Sequence, residues 1–300
     1  MVRVRLNGSA TMNPSPTLAG RRVLITGAAR GIGAALARRL HERGAKVALA
    51  GLEPELLAEV AAACGDAPWA ACDVTDAAQV DAAVATAVEA LGGLDVVVAN
   101  AGVAAQLPLV GGDPEVMRRT LDVNVMGTYL TVRAAGPHVS HPDGYVVVVS
   151  SLAAAVNPPL LGAYSASKAA VEALGNTLRA EMRPTGARVG VAYFAELDTD
   201  MTSRGFDTAA AVQLTGGGTP TKITPLKVGI DALERGIAHR SRRIVAPRWV
   251  SPILPVRMTA QRVVDRYLDR NIAGALATAR GETVELTTPQ PAPAADEVSP

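Results

Sequence analysis

Aromatic residues are scarce in this sequence: two Phe, two Trp and five Tyr in 300 residues. That excludes the stacking platform on which single-stranded nucleic acid is held. Neither sign of charge is in excess. Lys+Arg number 29 and Asp+Glu 28, net +1, whereas a dedicated nucleic-acid binder carries a strong basic surplus. Two cysteines, Cys64 and Cys72, are too few for a disulfide framework and point to reduced thiols and a cytoplasmic protein. His41, His138, His141 and His239 show no metal-ligand spacing with Asp, Glu or Cys, so no metal is expected. Residues 1–20 carry Arg3 and Arg5 but no apolar stretch between them and the ordered pattern. A signal peptide is therefore not expected, and Met12 is read as the natural start. The longest uncharged run, Gly144 to Ser167, has 24 residues, enough in length to span a bilayer. Asn157-Pro158-Pro159 and four serines break it, so a buried strand, a loop and a helix start explain it better.

What the chain has is apolar mass: 49% apolar residues and a mean hydropathy of +0.21. A folded chain of this size exposes roughly 12,000 Å² of the ~45,000 Å² it exposes unfolded, enough burial for one large core. Short apolar strands alternate with helical patterns. Strands are expected at Val23–Ile25, Val47–Leu49, Trp69–Cys72, Leu94–Val98, Tyr145–Val149 and Val189–Tyr193. Between the first two, Ile32, Leu36 and Leu40 repeat on a helix that stops at Gly44. Asp76 with Gln79 resembles a capping box, and Asp113-Pro114 opens a long helix through about Ala135. The alternation predicts a Rossmann-like α/β fold, a doubly wound parallel sheet with helices on both faces. One domain is expected over 21–280, between a flexible extension (1–20) and a flexible tail (281–300). Within it, 201–224 reads as a long loop with Gly216-Gly217-Gly218 and the character of a lid, followed by a C-terminal helical segment.

The first strand runs into Thr26-Gly27-Ala28-Ala29-Arg30-Gly31-Ile32-Gly33. Glycines at a strand-to-helix turn let the backbone approach a pyrophosphate, which the free amides and dipole of the helix N-terminus hold. Tyr164 and Lys168 lie one helical turn apart and share a face. A tyrosine alone is a poor acid-base group at neutral pH, with a free pKa of about 10. A nearby ammonium favours the tyrosinate, so the pair is suited to exchanging a proton with a substrate oxygen. With five tyrosines and four lysines in 300 residues, random placement yields such a pair roughly 0.07 times.

With these motifs, over about Arg21 to Met201, the sequence resembles the compact single-domain branch of the short-chain dehydrogenase/reductase family. Thr26 to Gly33 matches its TGxxxGxG turn, Asp73-Val74 its adenine-contacting pair, and Asn100-Ala101-Gly102 the end of its fourth strand. Asn124, Ser151, Tyr164 and Lys168 match its catalytic tetrad, with the family's spacings of 13 (164 − 151) and 40 (164 − 124); the first selects Ser151 over Ser150. The resemblance implies an NAD(P)-dependent oxidoreductase that moves a hydride between the nicotinamide and an apolar carbonyl or secondary-alcohol substrate. Tyr164 is then the acid-base group, and Lys168 lowers its pKa and bonds the nicotinamide ribose. Ser151 bonds the substrate oxygen, and Asn124 holds a water that passes protons to Lys168. Cofactor contacts are expected from Gly27, Arg30, Gly31, Ile32, Gly33, Gly51, Asp73, Val74, Asn100, Ala101, Gly102, Tyr164, Lys168 and Thr199. The family's helices at Asp113 and Tyr164 pack between subunits, so a homodimer or homotetramer is expected. Val123, Met126 and Leu130, and Ala169, Val171, Leu174 and Leu178, are the apolar residues for it.

Two departures stand out. Phe194-Ala195 replaces the family's Pro-Gly ahead of Thr199, and Gly51 stands where relatives preferring NAD carry an acidic residue. Gly51 does not exclude a 2′-phosphate, and Arg30 offers it a guanidinium, so the expectation leans toward NADP(H), with Glu53 as the residue that would restore NAD. A sugar-nucleotide-modifying enzyme and a dinucleotide-sensing regulator are the competing readings. The first usually has a different glycine spacing, and the second has no need of the tetrad. Residues 234–270 hold nine arginines against Glu234, Asp265 and Asp269, formally +6. The plainer reading is an amphipathic helix with a solvated face. The sharper one is recognition of an anionic or lipid-like substrate, or of a membrane surface.

Overall fold

Runs of valine set the sheet. Val96–Val98 and Val146–Val149 are apolar without interruption because both faces of their strands are covered. The structure is a computed structural model that describes residues 17–205, 208–216, 222–283 and 285–290. In it, seven parallel strands are described, in the order β3-β2-β1-β4-β5-β6-β7. They are β1 (Arg22–Thr26), β2 (Lys46–Gly51), β3 (Trp69–Ala71), β4 (Val96–Ala99), β5 (Tyr145–Val149), β6 (Arg188–Phe194) and β7 (Arg243–Ala246). The chain reverses direction across the sheet between β1 and β4, and a crevice opens at the carboxyl ends of the strands there.

Strand periodicity divides the core in two. Val23, Ile25, Val96, Val98 and Val147 face α1 (Gly31–Glu42), α2 (Pro54–Ala62) and α9 (Leu226–His239). Leu24, Val97, Val146 and Val148 face the opposite layer, with α3 (Ala77–Leu91), α5 (Gly127–Ala135) and α6 (Gly162–Glu181). Helix α3 starts as its sequence predicts. Asp76 Oδ1 accepts from the amides of Ala78 (2.8 Å) and Gln79 (3.1 Å), and the Gln79 amide side chain returns a bond to Asp76.

The long helix expected from Asp113 to Ala135 is three pieces. It runs as α4 (Pro114–Leu121), a π-helical turn over Asp122–Met126, and α5. A π turn inserts one residue into the helical repeat, commonly at a functional site; here it contains Asn124. Three of the apolar residues expected at a subunit interface, Val123, Leu130 and Val171, are instead core residues, whereas Met126 is exposed.

The segment expected as one long loop is partly helical: α7 (Asp200–Gly205) and α8 (Ala209–Thr215), the latter capped by Thr208. Helices α8, α10 (Arg257–Leu268) and α11 (Ile272–Ala279) share a small separate core with Leu160, which covers the carboxyl end of the sheet. Part of the tail expected to be unstructured is tied down. Thr287 donates its amide to Ala104 O and accepts the Ala104 amide on its hydroxyl, both at 3.0 Å. Residues before 17, the glycines after Gly216 and the residues beyond Gln290 lie outside the described residues.

Candidate active site

Backbone approach is what the glycines at the end of β1 provide. Gly27 has φ +63°, and a Cβ there would lie 2.7 Å from Ala101 Cα. Gly31 has φ +54° and faces Thr199, whose side chain lies 3.9 Å from where its Cβ would be. Asn100 locks the turn from the next strand. Its Nδ2 donates to Thr26 O (3.0 Å) and Gly27 O (3.2 Å), while its own amide donates to Thr26 Oγ1 (3.1 Å). The result is a concave backbone at the N-terminus of α1, suited to a pyrophosphate.

A cavity of about 620 Å³ continues from this turn. Gly27, Arg30, Gly31, Ile32, Gly51, Asp73, Val74, Asn100, Ala101, Gly102, Ser151, Tyr164, Lys168 and Thr199 all line it. The structure therefore brings together all but two of the expected site residues. Gly33 is not among the lining residues: it lies beneath the turn, where a Cβ would stand 2.2 Å from Gly27 O, so it permits close packing of helix on strand. Asn124 lies behind the cavity wall. Its Oδ1 accepts from Val103 N (2.8 Å), and its Nδ2 donates to Val103 O (2.9 Å) and Ser167 Oγ (2.8 Å). It thus ties the end of β4 to α6 one turn from Tyr164.

Lys168 is buried, and its Nζ donates to Val149 O at 3.0 Å. The same Nζ lies 5.6 Å from the centre of the Tyr164 ring. A methyl added to Gly102 would sit 3.2 Å from both Lys168 Nζ and Asn124 Oδ1, which shows how closely β4 and α6 converge. Burial pushes the Tyr164 phenol above its ordinary range, and a hydrogen bond with Ser151 offsets part of that shift. Burial pushes the Lys168 ammonium down to about 8. In the ligand-free site, burial thus acts on both groups against their charged forms.

A pH prediction follows from Lys168. Its folded pKa lies below the ordinary lysine value, so between about pH 8 and 10.4 the unfolded chain binds more protons and stability rises with pH. Chemical denaturation of the ligand-free protein should show this rise, and Lys168→Met should flatten it. An equal slope in both proteins would contradict a buried, depressed lysine.

Several site residues carried no sequence signal. Arg119 Nη2 donates to Asp73 Oδ2 (2.9 Å) and to Gln290 Oε1 (3.0 Å). Burial pushes the Asp73 carboxyl up, but the Thr75 amide and hydroxyl and the Arg119 guanidinium outweigh it, leaving a carboxylate below the usual range. Thr287, Thr288 and Gln290 line the cavity from the tail, and Val264 and Leu268 line it from α10. Arg30 is not free: its Nε donates to Glu53 Oε2 (2.7 Å), its Nη2 pairs with Glu53 Oε1, and its Nη1 reaches Asp200 Oδ2 (3.2 Å). Where the family has Pro-Gly, Phe194 ends β6 in register with Ala246, and the Ala195 amide donates to Ala246 O (3.1 Å).

The short chain dehydrogenase family profile matches residues 21–210. The chain belongs to the short-chain dehydrogenase family. It is an oxidoreductase acting on alcohol or carbonyl substrates, and its cofactor is a nicotinamide dinucleotide. The turn fits that group, since Gly27 and Gly31, both at positive φ, border the cavity with bare backbone at the start of α1. Hydroxysteroid 11-beta-dehydrogenase 1-like protein of Gallus gallus is 31% identical over 79% of this chain and 82% of its own. Trans-4-hydroxycyclohexanecarboxylate dehydrogenase of Sinomonas cyclohexanicum is 34% identical over 64% of this chain and 79% of its own. Among solved structures, a short chain dehydrogenase/reductase of Burkholderia phymatum in complex with NAD has a TM-score of 0.72 at 25% identity, covering 82% of this chain and 95% of that one. A 3-ketoacyl-(acyl-carrier-protein) reductase of Brucella melitensis complexed with NADH has a TM-score of 0.68 at 26% identity, covering 77% of this chain and 98% of that one. Among the described residues no helix is long and apolar enough to cross a membrane.

Proposed function

We propose that this enzyme interconverts a bulky apolar ketone and its secondary alcohol, with NAD(H) as cofactor and Tyr164 as the acid-base group. The observation that carries the reading is the position of Tyr164. It lines the cavity with Ser151 and Lys168, where the dinucleotide turn meets walls built from Val156, Leu161, Leu214, Ile253 and Val264. The bound dinucleotide supplies or accepts the hydride. In reduction Tyr164 gives its hydroxyl proton to the carbonyl oxygen, and Ser151 Oγ donates a hydrogen bond to that oxygen. In oxidation the tyrosinate takes the alcohol proton. Lys168 Nζ stabilises the tyrosinate and would hold the nicotinamide ribose, and Asn124 holds the wall that carries both. Mixed with the enzyme, a panel of alicyclic and steroidal ketones should consume reduced cofactor at 340 nm, whereas small aliphatic ketones should not. Turnover confined to small polar carbonyls would sink the apolar assignment.

What supports NAD(H), against the lean of the sequence toward NADP(H), is the engagement of Arg30. A 2′-phosphate would have to displace Glu53 from the guanidinium and leave its carboxylate beside the added negative charge. The expected result is tighter binding of NADH than NADPH. Glu53→Gln should raise NADPH affinity about tenfold, equivalent to ~1.4 kcal/mol. NADPH binding more tightly to the wild-type enzyme would reverse the assignment.

The enzyme is read as a homodimer or homotetramer of the cytoplasm. Exposed Met126 and Tyr129 support the assembly, because they stand on the helix pair that the family packs between subunits. The free, buried Cys64 and Cys72 support the location. Light scattering should give at least twice the 30.8 kDa chain mass, and Met126→Glu should lower it. A monomer at micromolar concentration would contradict the assembly.

A further inference from the structure

Much of the arginine surplus of residues 234–270 lies away from the catalytic cavity. Arg242 and Arg243, at the start of β7, and Arg257, in the first turn of α10, meet Arg179 and Arg183 from α6 and the turn after it. Together they line a second cleft of about 520 Å³, and no residue lines both clefts. Glu172 is the one acidic side chain in this lining, and Arg257 already holds its carboxylate through two hydrogen bonds of 2.8 and 3.1 Å. Five guanidinium groups against one carboxylate leave the cleft at +4.

These arginines are not equivalent. Arg179 is fixed, with Nε on Val189 O (3.0 Å) and Nη1 on Asn176 Oδ1 (2.6 Å). Burial and the neighbouring charges of Arg242 and Arg243 hold it below the usual arginine range. Arg183, Arg242 and Arg243 are exposed, and their side chains make no hydrogen bond or ion pair among the described residues. Like charges gathered around a concave space repel one another, and an anion placed among them would relieve that repulsion. Guanidinium forks recognise phosphate oxygens through paired hydrogen bonds.

We propose that this cleft binds a small, multiply phosphorylated anion. Smallness follows from the volume, which falls within the ~300–1,000 Å³ typical of small-molecule sites. Multiple charge follows from three uncommitted arginines around a fixed fourth, more than a single phosphate would occupy. The bound anion joins α6, whose first turns carry Tyr164 and Lys168, to α10, which walls the catalytic cavity.

The test is calorimetric titration of the full-length protein with sodium tripolyphosphate at low salt. Comparison is made with inorganic phosphate, with Arg183→Glu and with the double variant R242E/R243E. The expected dissociation constant is on the order of 10 µM, with inorganic phosphate at least tenfold weaker. Each variant should weaken tripolyphosphate binding tenfold or more while melting like the wild type. Undiminished binding in both variants would put the anion elsewhere, at the pyrophosphate turn of the first cleft, and overturn the proposal. So would equal affinity for the two phosphates, or duplex DNA bound through these arginines by a protein that ignores tripolyphosphate.

Discussion

Tyr164→Phe should lower kcat/KM by roughly 10²–10⁴-fold, the span that one positioned acid-base group contributes. The substitution removes a single oxygen. The ring stays over Lys168 Nζ, which keeps its bond to Val149 O. The dissociation constant of NADH should therefore stay within about twofold, since the phenol serves the proton and not the dinucleotide. Ser151→Ala should lose less in kcat, because an aligned donor to the substrate oxygen is removed while the proton donor remains. Ser151 Oγ also accepts the Ala153 amide (3.1 Å) at the turn after β5, so this variant needs its melting temperature measured beside its rate. Near-native turnover of Tyr164→Phe would remove the tyrosine from the mechanism.

Gly33→Ala is expected to be the most damaging change outside the reacting groups. The new methyl would lie 2.2 Å from Gly27 O, 2.9 Å from Gly27 C and 2.8 Å from Asn100 Nδ2. None of these can withdraw. Gly27 is itself pressed against Ala101 and held by Asn100, and moving it opens the turn that receives the pyrophosphate. Overpacking of this kind costs about 1–3 kcal/mol of stability. NADH affinity should fall more than tenfold in the same variant. Gly281→Ala is the control: its chain neighbours aside, the added methyl would meet only Thr278 O, at an ordinary contact distance of 3.6 Å. It should be neutral or stabilising by up to ~1 kcal/mol. Thermal melts and cofactor titrations of the two variants decide the matter, and equal behaviour would contradict the packing role given to Gly33.

The parts of the molecule legible in the sequence are those encoded locally. Val146–Val149 reads as a buried strand because its neighbours along the chain are enough to say so. The glycines at 27 and 31 are readable because a positive φ has few other solutions. Tyr164 and Lys168 are readable because four residues on a helix fix a shared face. What was not legible depends on contacts between distant segments. Thr287 lies on Ala104, 183 residues earlier, and nothing in a proline-bearing tail announces that partner. Arg30 read alone offers a phosphate site. Glu53 and Asp200, which occupy it, reach it only once β2 has paired with β1 and β6 has taken its place in the same sheet. The π turn at Asn124 has no sequence mark, because an ordinary helix satisfies the same residues until Val103 and Ser167 claim the asparagine side chain.

The central claim is direct transfer of hydride between the dinucleotide and the substrate carbon, with Tyr164 managing the proton. It is tested by reducing an alicyclic or steroidal ketone with NADH deuterated at both C4 positions and analysing the product by mass spectrometry. The account predicts one deuterium at the carbinol carbon with the wild-type enzyme, and the same labelled product formed at least about a hundredfold more slowly with Tyr164→Phe. Alcohol formed without deuterium at that carbon would contradict it.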